Sequence, residues 1–375
     1  MRFVWFGSYA TGPGYPRNET LIAGLRSLGH DVAEVHAPLL GGAGERVGLA
    51  RPGGGSAALA WRQLRAAGSL ARRWFRAGDV DAVVVGYGGL VDVPLARFLQ
   101  NFDRVPLVWD AFVPMYDAVV RDRGLASPDS LRARTLLRIE RSSGRMADVV
   151  LADTSANADL LAADLGIARD RIAVVGIAQP DPGEPAPLPA GGPLRALLVA
   201  THIPLHGVPT AIEAVRRLGR DGGVALRVVG TGQGLDDAKR AAADVAGVAI
   251  EDRFAPEDEV RAMYAASHVG LGIFGATEKA ARVVPLKAAL TMAAGRALVT
   301  RDSGASREAL GEDALLVPPA DPDALAAALV RLRDDRALVE RLGASGRRRY
   351  LAAFTPEAAA RALLASLDRF APPAA

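Results

Sequence analysis

The stretch Gly270–Thr300, GLGIFGATEKAARVVPLKAALTMAAGRALVT, is the key to the fold. Its pattern predicts a strand, a loop of small and charged residues, a short helix and a second strand. Such a unit brings backbone N–H groups and the positive end of a helix dipole to the carboxyl edge of a parallel sheet, where anions bind. The chain has three lysines, and two of them, Lys279 and Lys287, lie here. With Glu278 and Arg282 they form a charged cluster between two apolar runs. A merely solvated loop would read the same way, so the rest of the chain has to decide.

Working outward, the same rhythm fills the second half. Strands are expected at 194–201, 225–232, 248–254, 269–274, 296–302 and 314–320, with helices at 208–220, 235–246, 256–266 and 322–332. The first half opens on the apolar run Phe3–Phe6, a Gly-containing loop, a helix at 20–30 and a strand at 31–37. Continuous apolar runs of this kind belong to strands buried on both faces of a parallel sheet. Further strands are expected at 80–88, 104–112, 148–157 and 171–178, with a basic helix at 131–146. The glycines at 7, 12 and 14 do not fit G-x-G-x-x-G, and no acid closes the second strand, which argues against a dinucleotide site. Between the halves, QPDPGEPAPLPAGGP (179–193) has six prolines in fifteen residues and can hold neither a helix nor a central strand. The expected organisation is a doubly wound domain over 1–180, a linker over 181–193, a second such domain over 194–355, and a helix over 356–375 crossing back to the first domain.

Composition fits this reading. A chain of 375 residues is long for one core and suits two α/β domains. A net charge of +3 gives no reason to invoke nucleic acid. The cations are mostly arginine in an Ala-, Gly- and Pro-rich chain, a compositional drift that accounts for the high pI. Cysteine is absent, so disulfide and thiolate chemistry are out, in keeping with a cytoplasmic location. The N-terminus reads as a first strand rather than a signal peptide, and no apolar run is long enough to span a membrane. The Gly-rich 40–55 reads as a loop. Ala57–Ala77 is a helix with five arginines besides Trp61, Trp74 and Phe75. An ordinary surface helix is the simpler reading, and peripheral contact with an anionic membrane is the alternative.

YPRN (15–18), PLVWDAFVPMYDAVVRDR (106–123), ADVVLADTSANADLLAADLGIARDRIAVVGIA (147–178), LLVATHIPLHGVPTAIEAV (197–215), LRVVGTGQG (226–234), the 274–300 segment and DPDALAAALVRLRDD (321–335) follow one another along the chain. In that order they resemble the family 4 retaining glycosyltransferases of the GT-B fold. The resemblance spans nearly the whole chain. It implies a GT-B fold with two Rossmann-like domains facing a cleft, an acceptor in the first and a nucleoside diphosphate sugar in the second. It also implies transfer with retention, and neither a metal nor a cofactor besides the donor. Asp110 stands near where the family often has a histidine by the reacting centre, so it is the catalytic candidate, as a base or as an orienting carboxylate. Helix capping is the plainer role for such an aspartate. The donor and diphosphate candidates are Gly12, Gly14, Arg17, Thr201, His206, Gly207, Gly230, Phe254, Glu278, Lys279, Arg282 and Lys287.

The departures from the family pattern matter. The arginine and lysine of G-R-x4-K-G fall on Thr201 and His206, and the E-x7-E pair falls on Arg282 and Leu290. Leucine cannot accept a hydrogen bond from a donor ribose. Lys279, Arg282 and Lys287 are therefore expected to rebuild the nucleotide grip, with His206 able to donate to a phosphate if protonated. His202 and His206 are four apart, but Pro204 lies between them and no H-E-x-x-H is present, so a zinc site is not expected. The expectation is a bacterial hexosyltransferase-like enzyme acting on a secondary-metabolite or cell-surface glycan acceptor. A same-fold transferase using phosphoribosyl diphosphate, a non-catalytic accessory protein and a GT-B epimerase remain as alternatives. The sequence leaves the oligomeric state open.

Overall fold

A computed structural model describes residues 1–12, 16–38, 56–100 and 105–368. Gly14, Tyr15 and the Gly-rich 40–55 lie outside the described residues. The chain forms two compact units, one of Met1–Ala178 with Pro356–Ala375 and one of Gln179–Thr355.

The first unit is built on six parallel strands: β1 (Arg2–Gly7), β2 (Asp31–His36), β3 (Ala82–Val85), β4 (Leu107–Phe112), β5 (Val149–Ala152) and β6 (Ile172–Val174). Their order is β2-β1-β3-β4-β5-β6. In β1, Phe3, Val4, Trp5 and Phe6 are wholly buried, as expected of a run covered on both faces. On one face lie α2 (Ser56–Trp74), α3 (Val93–Gln100), α4 (Leu131–Met146) and α5 (Ser155–Leu165). The expected strand at 148–157 stops at Ala152, because Thr154 caps α5 by accepting the N–H of Asn157. On the other face are α1 (Arg17–Ser27) and α14 (Pro356–Ala365). These two helices cross closely at Gly24, where a Cβ would fall 2.0 Å from the carbonyl oxygen of Pro356. The sequence reading gave no element to α3 or to the π-helical turn Asp117–Asp122.

The second unit repeats the plan with β7 (Leu194–Val199), β8 (Val224–Val229), β9 (Val248–Glu251), β10 (Val269–Leu271), β11 (Ala297–Arg301) and β12 (Leu315–Val317), ordered β12-β11-β10-β7-β8-β9. All of its pairings are parallel. Helices α6 (Val208–Leu218), α7 (Leu235–Ala242), α12 (Pro322–Asp334) and α13 (Arg336–Ala353) cover one face. On the opposite face α8 (Glu257–Ala265) packs with Leu197 and Val229. The proline-rich segment lies down on this unit. Arg296, nearly fully buried, donates to the carbonyls of Ala186, Tyr264 and Ala265, and Arg347 pairs with Asp181 at 2.7 Å.

The Gly270–Thr300 stretch departs from expectation in one respect. Its charged loop contains a short helix, α9 (Glu278–Arg282), before α10 (Leu286–Ala293). Thr277 caps α9 by accepting the N–H of Ala280, and Pro285 precedes α10.

Candidate anion site at the carboxyl edge of the second sheet

Three chain exits meet at the carboxyl edge of the second sheet. After β7 the backbone runs through Thr201 and His202 into a single turn, Pro204–His206, ended by Gly207 in a left-handed conformation. A Cβ at Gly207 would sit 2.7 Å from the nitrogen of Gly275, so this turn is pressed on the loop leaving β10. The Phe274 N–H donates to the His206 carbonyl at 3.1 Å, and the Gly275 N–H to the Leu205 carbonyl at 3.2 Å. After β8 the GTGQG loop packs down on the Ala200–His202 backbone that leads into this turn. A Cβ on Gly230 would fall 1.7 Å from the Ala200 oxygen, and one on Gly232 would fall 1.9 Å from the Thr201 oxygen. Gly207 and Gly230 are thus required by backbone contact within the unit itself.

Within this frame the side chains of Lys287, His202 and His206 converge. Lys287 projects from the first turn of α10, is 7% exposed, and its Nζ meets no hydrogen-bond partner among the described residues. Burial pulls its pKa down to about 7. His206 accepts the Thr201 N–H on Nδ1 at 3.0 Å, which puts its ring proton on Nε2. Burial, then the charge of Lys287 and then His202, hold the His206 pKa near 2. The condition set in the sequence reading, donation to a phosphate by a protonated His206, is disfavoured by this lowered pKa, while the neutral ring still carries a proton on Nε2. His202 is buried, with φ at 45°, and neither ring nitrogen makes a well-formed hydrogen bond among the described residues. Burial lowers its pKa, against a weaker pull from the backbone of Gly230. A strained backbone of this kind costs about 1–3 kcal/mol and collects at functional sites. In the sequence His202 was weighed only as half of a zinc pair, and its strain and burial were invisible there.

The remaining candidates of this unit are looser. Arg282 reaches Glu278 at 3.7 Å, and Glu278 is exposed. Lys279 is half-buried on α9. The loop before α9 is tied by Arg301, which donates to the carbonyls of Gly275 and Thr277. Phe254 follows β9 with its ring 66% exposed. Leu290 packs on the apolar cluster of Leu197, Val229, Met263 and Tyr264. That contact explains why a leucine is stable at this position.

In the first unit the candidates are bound to one another. Arg17 holds Asp110 through two bonds, Nε to Oδ2 at 2.9 Å and Nη2 to Oδ1 at 3.1 Å. Its remaining Nη1 donates at 2.8 Å to the carbonyls of Val175 and of Gly176, and the guanidinium lies over the Phe112 ring. Asp110 is 1% exposed. Asp110, the candidate base or orienting carboxylate, and Arg17, a candidate for the diphosphate, are thus bound to each other within this unit. Asn18 likewise fastens the loops after β1 and β3, bonding Trp5, Ala10 and Tyr87. Gly12 sits at φ 90° with its N–H on the Glu19 carboxylate, in a turn that favours glycine. Sequence reasoning missed Asp153, a carboxyl beside this cluster whose pKa burial raises to about 6, against the Asn157 hydrogen bond and the Arg17 charge.

Comparison with known proteins agrees with this architecture. Residues 16–178 match the family model described as glycosyl transferase 4-like domain, and residues 195–335 match glycosyl transferases group 1. The MMP α-(1→4)-mannosyltransferase of Mycolicibacterium hassiacum is 27% identical over 320 residues, 82% of this chain and 74% of that protein. Among solved structures, Anabaena HepE in complex with UDP superposes with a TM-score of 0.69 at 13% identity, covering 98% of this chain and all of that one. Sucrose-phosphate synthase of Thermosynechococcus elongatus gives 0.69 at 17% identity, with 98% of each chain covered. A glycosyltransferase of Rickettsia africae gives 0.64 at 14% identity, with 100% of this chain and 99% of that one covered.

Proposed function

This chain belongs to the glycosyltransferases of the GT-B fold, and we propose that it is a retaining enzyme that binds a nucleoside diphosphate sugar in the unit Gln179–Thr355. The observation that carries the proposal is Lys287. An ammonium buried with no partner among the described residues, at the first turn of a helix and beside the buried His202 and half-buried His206 imidazoles, is costly unless an anion enters. A diphosphate fits that need. As the sugar leaves, negative charge develops on the phosphate, and in this reading Lys287, the neutral His206 Nε2–H and the N-terminal end of α10 stabilise it. This set would stand in for the arginine and lysine that the family pattern has at Thr201 and His206. The UDP in HepE supports a nucleotide donor, and the named activity of the mycolicibacterial relative supports a glycan or small-molecule acceptor. The proposal needs no cofactor besides the donor, and a cytoplasmic site of action suits a chain without cysteine.

Leu290 favours a second reading. Its apolar packing leaves no acceptor for a ribose at that position, which suits a simpler donor such as phosphoribosyl diphosphate. One experiment separates the two. Thermal shift and sugar transfer are measured with UDP-, GDP- and dTDP-sugars and with phosphoribosyl diphosphate. Stabilisation by a nucleotide sugar is expected, and Lys287→Met should weaken that binding by roughly 100-fold, the scale of one buried charge-assisted contact. Stabilisation by phosphoribosyl diphosphate alone moves the assignment to the second reading. No stabilisation by any of them removes both.

A further inference from the structure

The exposed large apolar side chains of this protein are unevenly spread. Trp61, Leu64 and Phe75 on and just after α2, Phe98 on α3, and Leu131 and Ile139 on α4 are all exposed, the first five by 63–77%. The three helices cover one face of the same sheet, with α2 touching α3 and α3 touching α4. Their charge is equally one-sided. Arg62, Arg65, Arg72, Arg73 and Arg76 on or just past α2 are exposed, as are Arg132, Arg134, Arg138, Arg141 and Arg145 on α4. Between 56 and 77 there is no acid, and the one acid of α4, Glu140, is buried beneath it, facing the backbone N–H groups of Met115 and Tyr116. The exposed acids Asp79 and Asp129 fall outside the helices.

We propose that the outer face of α2, α3 and α4 docks on an anionic lipid bilayer, with the exposed aromatic and aliphatic side chains entering the headgroup region and the arginines meeting lipid phosphates. Ten arginines of one sign suit a continuous anionic plane. A protein partner would instead meet a patch depleted of charge at its centre. Leu64, Leu131 and Ile139 have nothing to offer stacked bases, but they do have an apolar phase to enter at a membrane interface. Arginine stems can lie along that boundary with their guanidinium heads at the phosphates. The proposal is independent of the donor assignment. Among the described residues no helix is long and apolar enough to cross a membrane, so the contact is peripheral.

Trp61 makes the test direct, because Trp5, Trp74 and Trp109 are buried and it alone is exposed among the four tryptophans. The full chain is floated with phosphatidylcholine vesicles, with and without phosphatidylglycerol, while tryptophan emission is recorded. Binding to the phosphatidylglycerol vesicles only, with a blue shift that salt reverses, is expected. The double variant Arg65→Glu/Arg72→Glu should lower partitioning by at least roughly tenfold with an unchanged melting temperature. Trp61→Ser/Phe75→Ser should weaken binding and abolish the shift. Failure to bind phosphatidylglycerol vesicles overturns the proposal, as does binding that both variants leave intact. Retention on heparin without vesicle binding overturns it too and points to a polyanion instead.

Discussion

The two sheets each end in a polar cluster at the carboxyl edge, and the clusters are built in opposite ways. In the first unit Arg17 is shared between the two oxygens of Asp110, two backbone carbonyls and the face of Phe112. In the second, Lys287 is buried to the same degree and has none of this support among the described residues. A buried charge whose bonds are complete fixes the chain around it. A buried charge whose bonds are missing leaves a cost that a ligand can offset. In the first cluster the charges answer one another, whereas in the second the lysine keeps an unmet need, although both looked like candidate sites in the sequence.

The largest test breaks the saturated side. Arg17→Met leaves the Asp110 carboxylate buried without its partner, and urea titration should show a loss of about 3–5 kcal/mol of stability. If donor binding follows folding alone, the affinity of the folded fraction stays as it was. A stable Arg17→Met protein with lost donor binding would reverse the comparison.

The unsaturated side is tested by pH. Lys287 ionises at about 7 in the free folded protein, and a bound diphosphate raises that value. Below pH 7 the lysine is charged in free and bound protein, so affinity for the donor is flat. Above it, each bound donor brings a proton with it, and affinity should fall by up to about tenfold per pH unit. Calorimetry in buffers of different ionisation enthalpy reads this proton uptake directly. Folding responds with the opposite slope. The unfolded chain keeps the lysine proton up to 10.5, so the burial cost is complete below about 7 and fades as pH rises towards 10.5. Lys287→Met should therefore raise the melting temperature at pH 6 and do little at pH 10.

The smallest effect sharpens the boundary of the site. Lys279→Ala and Arg282→Ala alter α9, where Arg282 reaches an exposed Glu278 across 3.7 Å. Donor affinity should drop only a few-fold, the scale of a partly solvated charge, with the fold intact. Unchanged affinity would remove both residues from the site.

The strands were legible because a parallel sheet covered on both faces writes itself as uninterrupted apolar runs, and Phe3–Phe6 and Ala82–Val85 are wholly buried as that pattern requires. The charged helix α9 was read as loop because five residues give too little periodicity to see. Arg17 and Asp110 were each singled out as functional, since a sequence shows charge but not its partner, here 93 residues away. Gly230 was singled out as a donor candidate, yet a carbonyl oxygen 1.7 Å from where a Cβ would stand explains the glycine without any ligand.

By itself, then, the amino-acid sequence determined the alternation of strands and helices, the break at the prolines of 179–193 and the family. All three rest on local spacing and composition, which the chain carries without folding. The tertiary structure decided which charges are satisfied, that burial and Lys287 hold the His206 pKa down, that His202 is strained and that the Lys287 Nζ meets no partner among the described residues. Those properties depend on desolvation and on partners distant in sequence, and both exist only once the two sheets have been assembled.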